Sequence, residues 1–440
     1  MNAVFRIAIV FLVLSELGSC NVKPVPITSS TPQPIPIDAL VVKNGNVIDG
    51  TGAAPIRNGV VIIVKDKIFA VGRAVDFSTP SDARIVDAHG GTIMPGIINA
   101  HVHSASSPLV RKYYYLRHGV TTVCDVGSAM PDMPRFADNS GYAFTARGFR
   151  TGPVINVPEG YPGNGEFLYP VTNPDEARQA VTDLVSRGAD MIKTAVEPWN
   201  SKLPWPAPPP GDPIPNLDLP TLQAIVEQAH AHGKIVRVHL GTQILLDFAL
   251  DGGVDSVEHV PLPQLSDIDF SKTQNGGYAK LSERFEAQLA RMVRQHVFMV
   301  PTLNKIVPWC EGYANSAERK KLCSDYALAP VHRFHQLGGT IALGDDSASE
   351  LRTTMPIGEM QRLAQAGLSP MEIIQAGTKY AAQVCGHGNE LGTLEPGKFA
   401  DVIVVNGNPL RNIEVMEQIE TVIVGGVIAV PCDPTKQNAC

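Results

Sequence analysis

A (β/α)8 barrel with a small β-sandwich domain built from both chain ends is the fold that the sequence predicts. Three observations carry it. Between residues 93 and 388 short buried-looking strands alternate with helical stretches. Turn-punctuated β runs precede that region, and matching β runs follow it. At 440 residues the chain is too long for one modest core, so one large barrel or two domains is the expectation.

The strand candidates of the central region are "GIINAHV", "GVTTVCDVG", "AFTARGF", "ADMIKTA", "KIVRVHL", "VDSVEHV", "VFMVPTL" and "GTIALGDDS". The clearest helix between them is "LPTLQAIVEQAHAHG", with apolar positions at helical spacing and Gly233 as its stop. Strand–helix alternation of this kind calls for a parallel sheet closed into a barrel, whose functional residues sit at the C-terminal strand ends. The flanking runs "ALVVKNGNVID", "GVVIIVKDKIFAVG" and "ARIVDAHGG" read as antiparallel strands with tight turns, as do "ADVIVVNGNPL" and "IETVIVGGVIAV". Residues 38–92 and 389–431 are therefore assigned to the composite β-domain and 93–388 to the barrel.

The N-terminus reads as an export segment. Arg6 precedes the apolar run "IAIVFLVL", which is too short for a bilayer span of ~20 residues. "LGSC" then ends at Cys20, so residues 1–20 resemble a bacterial lipoprotein signal with Cys20 as the lipidated residue; ordinary secretion is the alternative. Residues 21–37 are rich in Pro, Ser and Thr and read as an extended tether. The folded body is thus expected in the cell envelope or periplasm, held at the membrane by the lipid. A net charge of −7 offers no electrostatic footprint for nucleic acid. Self-association into a homo-oligomer is left open.

Cys310 with Cys323, and Cys432 with Cys440, are close enough in sequence to be candidate disulfides. The chain has no CxxC pair, which argues against a thiolate zinc site. Cys124, inside an apolar strand, reads as a small buried hydrophobe rather than a nucleophile.

The strand ends carry the chemistry. In "PGIINAHVH", His101 and His103 are two apart and so share one face of a strand. They suit either a metal or hydrogen bonds to loop backbone. Lys193, His239, His259 and Asp345 stand near the ends of four further strand candidates, all at one rim if the barrel closes. An ammonium has no lone pair for a cation; Lys193 becomes an anionic oxygen ligand only if CO₂ carboxylates it. Arg237, two residues before His239, reads as the partner of an internal carboxylate. His230 and His232 read as surface or satisfied helix residues.

These motifs, with "LRHGVTTVCDVG", "AHAHGKIVRVHL", "PTL" and "LGTLEPGKFADVIVVNGNPL", resemble the amidohydrolase superfamily, in particular its imidazolonepropionase-like and prolidase-like members. The resemblance covers nearly the whole chain after the tether. It implies two divalent metal ions, zinc by default. His101, His103 and Asp345 would hold one and His239 and His259 the other, with carboxylated Lys193 between them. A hydroxide shared by the two metals would attack an amide carbonyl, and Asp345 would move the proton to the leaving nitrogen. "GDDSA" departs from the family's usual threonine–aspartate, which leaves Asp346 as the alternative to Asp345.

The implied substrate is a small peptide, an Xaa-Pro dipeptide among them, or an N-acyl amino acid. Lactonase, esterase or phosphotriesterase chemistry at the same site is the alternative, deamination a weaker one, and a non-catalytic envelope protein the non-enzyme reading. "VEPWNSKLPWPAPPPGDPIP" departs from the family's glycine-rich loop and reads as a stiff aromatic lid or as a loop packed on a neighbouring helix. Tyr161, Trp199, Asn304, Ser347 and Arg352 are the candidate substrate contacts.

Overall fold

The computed structural model describes residues 32–103, 108–134, 145–198, 213–273, 277–312, 314, 316–347 and 354–431. The signal segment with Cys20, most of the tether, Trp199, Arg352 and the Cys432–Cys440 pair lie outside the described residues.

The barrel starts where burial leaves neither strand face exposed. Ile97–Val102 is buried at all six positions, as is Val120–Asp125, and the two pair in parallel. Strands buried on both faces are the mark of a parallel sheet covered by helices. Arg147–Arg150 adds to the far side of Val120–Asp125. Ile192–Ala195, Val236–His239, Ser256–Glu258 and Phe298–Val300 continue the ring in parallel register. Residues 341–347 close it through parallel bridges, Met299 to Ile341 and Val102 to Ser347. A hydrogen bond from Ala100 N to Leu343 O at 2.9 Å seals the same seam. Gly344 makes that closure possible, since a Cβ there would stand 2.6 Å from His101 Cβ.

The third stave departs from the expected single strand. It breaks at Gly152, whose φ of +75° glycine adopts without strain, and resumes as Val154–Asn156. The lower half pairs with the second strand and the upper half, through Ile155 and Thr194, with the fourth. The break throws residues 157–167 across the barrel mouth. The predicted helix appears as Leu219–Ala231, with the Asp218 carboxylate accepting from Thr221 N at 2.9 Å as its N-cap. His230 is paired with Asp255 on the surface, as expected of a residue without a site role.

Both chain ends build one curled, mixed eight-stranded sheet. Thr92–Pro95 runs antiparallel to Val402–Val405, which welds the N-terminal strands to the C-terminal ones directly beneath the first barrel strand. Period-two alternation buries both faces. Leu40, Val42, Val61 and Ile63 share one cluster with Val402 and Val404, whereas Val41, Val60 and Ile62 face Ile35 on the other.

Cys310 and Cys323 are joined, as the spacing suggested. Cys124 is fully buried but is no lone hydrophobe: it is bonded to Cys385, 261 residues away, tying the second barrel strand to the end of the Ala381–Val384 helix. The short 310–323 loop gives a measurable expectation. In the chain-entropy account a bridge closing so short a loop contributes about 3 kcal/mol. The Cys310→Ser/Cys323→Ser double variant should lose about that much in urea unfolding, and an unchanged midpoint would mean the bridge leaves the unfolded state unconstrained.

Candidate metal centre

Four imidazoles meet at the C-terminal rim. His101 and His103, two apart on the first strand, have ring centroids 5.3 Å apart. His259 stands 5.0 Å from His101, and His239 stands 4.6 Å from His259. Lys193, 2% exposed, projects from Ile192–Ala195 and lines the same cleft. All five residues are therefore where the strand-end argument put them.

The aspartate is one residue further on. Asp346, not Asp345, turns its carboxylate to the histidines: Oδ1 lies 3.4 Å from His103 Nε2 and 3.9 Å from His101 Nε2. His101, His103 and Asp346 can offer ligand atoms within 4.8 Å of one another. Asp345 points elsewhere, its Oδ1 accepting from Asn99 Nδ2 at 2.8 Å and from Ser347 N at 3.2 Å. The reason is backbone geometry. Asp346 N donates to His101 O at 2.9 Å, and its φ of +51° swings the side chain over the rim.

His259 and Thr302 share this unusual backbone, with φ of 73° and 49°. Such conformations cost of order 1–3 kcal/mol each and gather at functional sites.

Burial sets the protonation states. It holds His101 and His259 well below the ordinary imidazole value, and brings His239 down to about 3 with help from Lys193. All three are neutral at pH 7 and have a lone pair to give. Burial also lowers the Lys193 ammonium to about 8, Arg237 assisting while Glu258 and Asp346 pull the other way.

The outer partners are as ordered as the rim. Glu258 Oε2 lies 2.6 Å from His101 Nδ1, and Arg237 grips both oxygens of the same carboxylate at 2.8 Å. Arg237 thus has the internal carboxylate partner expected of it. Thr302 Oγ1 lies 2.7 Å from His259 Nδ1. Glu197, at the end of the fourth strand, is buried beside His239, and burial raises its carboxyl to about 7.

His101 Nε2 and His239 Nδ1 are buried and have no hydrogen-bond partner among the described residues. An unsatisfied buried polar atom costs about 1–3 kcal/mol. Inward-facing imidazole nitrogens beside a carboxylate fit a divalent cation, and the ligand types suit zinc.

The cleft above encloses ≈ 390 Å³. Tyr161 stacks on His239 at 3.7 Å between centroids, so this predicted contact does face the site. Asn304 does not: its side chain lies against Gly358, and its backbone N donates to Glu359. Ser347 serves closure, its carbonyl accepting from His103 N at 3.0 Å. Val126, Val154, Pro162 and Phe167 form an apolar wall that sequence reasoning missed. The signal lay in "TGP" at 151–153, a break that converts the following segment into a mouth loop.

A closed parallel barrel with imidazoles, an amine and a carboxylate at its C-terminal rim, resting on a β-domain made of both chain ends, is the architecture of a barrel hydrolase. The chain belongs to the amidohydrolase family, whose model matches residues 92–429, and is a hydrolase of carbon–nitrogen bonds. It is 25% identical over 447 residues to ochratoxinase from Aspergillus niger, spanning 87% of this chain and 84% of that one. A 5-methylthioadenosine/S-adenosylhomocysteine deaminase of Symbiobacterium thermophilum is 24% identical over 417 residues, 84% of this chain and 86% of its own. Among solved structures, a Xaa-Pro dipeptidase with bound methionine has a TM-score of 0.70 at 23% identity, covering 89% of this chain and 99% of the other. The ochratoxinase structure has a TM-score of 0.71 at 21% identity, covering 92% and 99%. These likenesses confirm the barrel and the small β-domain.

Proposed function

We propose that this protein is an exported, binuclear zinc amidohydrolase that cleaves the amide bond of a small peptide, Xaa-Pro dipeptides included, or of an N-acyl amino acid. The observation that carries the reading is the convergence of four histidines, Lys193 and Asp346 on one rim, with two imidazole nitrogens left buried and unsatisfied.

His101, His103 and Asp346 would hold one cation and His239 and His259 the other, with Lys193 between them as its carbamate. Bound there, the metals supply a nucleophilic water at neutral pH and polarise the scissile carbonyl. The protein's own part is orientation and proton transfer. Asp346 Oδ1 accepts the proton of the attacking water and returns it to the leaving nitrogen. The Tyr161 ring and the wall of Val126, Val154 and Phe167 seat the apolar part of the substrate and exclude water. The Cys124–Cys385 and Cys310–Cys323 bridges support an oxidising compartment, hence export, with Cys20 as the lipid anchor.

Metal analysis of the purified protein should return two equivalents of zinc per chain. Stripping with a chelator should abolish hydrolysis of Xaa-Pro dipeptides and N-acyl amino acids, and zinc should restore it. Lys193→Ala should lose metal; two equivalents retained in that variant would end the bridging role. Faster turnover of lactones or aryl esters than of every amide would replace this reading with the esterase one.

A further inference from the structure

A neutral imidazole has one N–H and one lone pair, so whichever nitrogen meets an outer acceptor leaves the other to face a metal. His101 and His259 are wired alike: Nδ1 meets Glu258 or Thr302, which turns Nε2 inward. His239 is wired the other way round. Its Nε2 lies 3.6 Å from Glu197 Oε2, and its Nδ1 is the buried atom without a partner among the described residues.

The geometry points to Glu197 as the positioning residue that fixes His239 with Nδ1 toward the metal-binding face. The stack with Tyr161, interplanar angle 13°, holds the plane of the ring but not its sense. A half-turn about the last torsion leaves that stack intact but swaps the two edges of the ring, putting Cδ2 where Nδ1 stood and turning the Nε2 edge toward the metal-binding face. A carboxylate on one side distinguishes the two edges, because it favours the Nε2–H over the weakly polar Cε1–H that the flipped ring would present.

Glu197 is itself held in place. Its Oε2 accepts from Gly241 N at 2.9 Å. The Asn216 side chain clamps its main chain, accepting from Glu197 N at 2.8 Å and donating to Glu197 O at 2.7 Å. At 3.6 Å the contact with His239 exceeds a hydrogen bond. The terminal torsion of a glutamate is soft, and a small rotation closes the gap.

This inference rests on the binuclear reading, and the test separates the two. Zinc titration against a chromophoric chelator is run on the wild type, Glu197→Ala and Glu197→Gln. In parallel, ring-labelled histidine NMR of the zinc-loaded proteins reports which nitrogen of His239 is metallated. Glu197→Ala should lose roughly 10–100-fold in affinity for one zinc equivalent, the usual cost of removing an outer partner. A second His239 signal, from zinc on Nε2, should appear with it. Glu197→Gln, whose amide oxygen still accepts the N–H, should lose less and keep zinc on Nδ1. Matching thermal melts of the metal-free proteins separate this effect from misfolding. Wild type binding two zinc ions while Glu197→Ala binds both equally well, with His239 unchanged, overturns the inference alone. Wild type binding none overturns the binuclear reading and this inference with it.

Discussion

Asp346→Asn should lower kcat by about 10²–10⁴-fold, the range of a lost general acid–base, while the neighbouring Asp345→Asn costs roughly tenfold or less. The two carboxylates are adjacent in sequence but differ in what they face. Asp346 Oδ1 looks at His103 and His101 from 3.4 and 3.9 Å, where the proposed mechanism takes up and returns a proton. An asparagine there cannot accept and release that proton. The contacts of Asp345 Oδ1 to Asn99 and Ser347 can be reproduced by the amide oxygen of asparagine. What that substitution changes is then worth about one ordinary hydrogen bond, 0.5–1.5 kcal/mol. Steady-state kinetics of the two variants on one substrate decide the matter. Near-wild-type turnover in Asp346→Asn, or the larger loss in Asp345→Asn, would return the proton-transfer role to Asp345.

That pair marks the boundary of what the sequence made legible. Two histidines at i and i+2 on an apolar strand, and further polar residues at later strand ends, reveal barrel, rim and metal-competent set together, because the period of a strand is two. The same period makes a single-residue error decisive, since a shift of one moves a side chain to the opposite face. Asp345 follows the apolar run "IAL" and Gly344 directly, so it looks like the strand end; the positive φ at Asp346 that redirects the chain leaves no signature in an acidic residue. Cys124 and Cys385 were illegible as a pair for another reason. Their 261-residue separation is bridged by barrel closure, which no local pattern encodes. Glu197 sits just past an apolar strand in a stretch that reads as loop, and only the fold brings it to His239. Glu258, by contrast, was half visible: an arginine inside a buried strand demands an internal carboxylate.

The Arg237–Glu258 pair is where the largest loss of stability is expected. Both side chains are 0% exposed. Arg237→Met should cost about 3–5 kcal/mol, the usual penalty for stranding one buried charge. The penalty arises from what remains. Glu258 would keep Ser256 Oγ at 2.7 Å and His101 Nδ1 at 2.6 Å but lose its counter-charge and both 2.8 Å guanidinium bonds. Two routes then relieve it: the carboxyl takes up a proton, or His101 becomes an imidazolium and gives up the lone pair it offers the rim. Adding Glu258→Met to Arg237→Met removes the stranded charge and should recover most of the stability, because apolar replacement of a whole buried pair is often neutral or better. It should not recover zinc binding, since His101 would have no acceptor to hold its Nδ1–H. Urea unfolding and zinc titration on the single and double variants therefore separate two functions of one ion pair. A single variant within about 1 kcal/mol of wild type would contradict the account of burial, and a double variant that binds zinc normally would show that His101 is oriented by something other than Glu258.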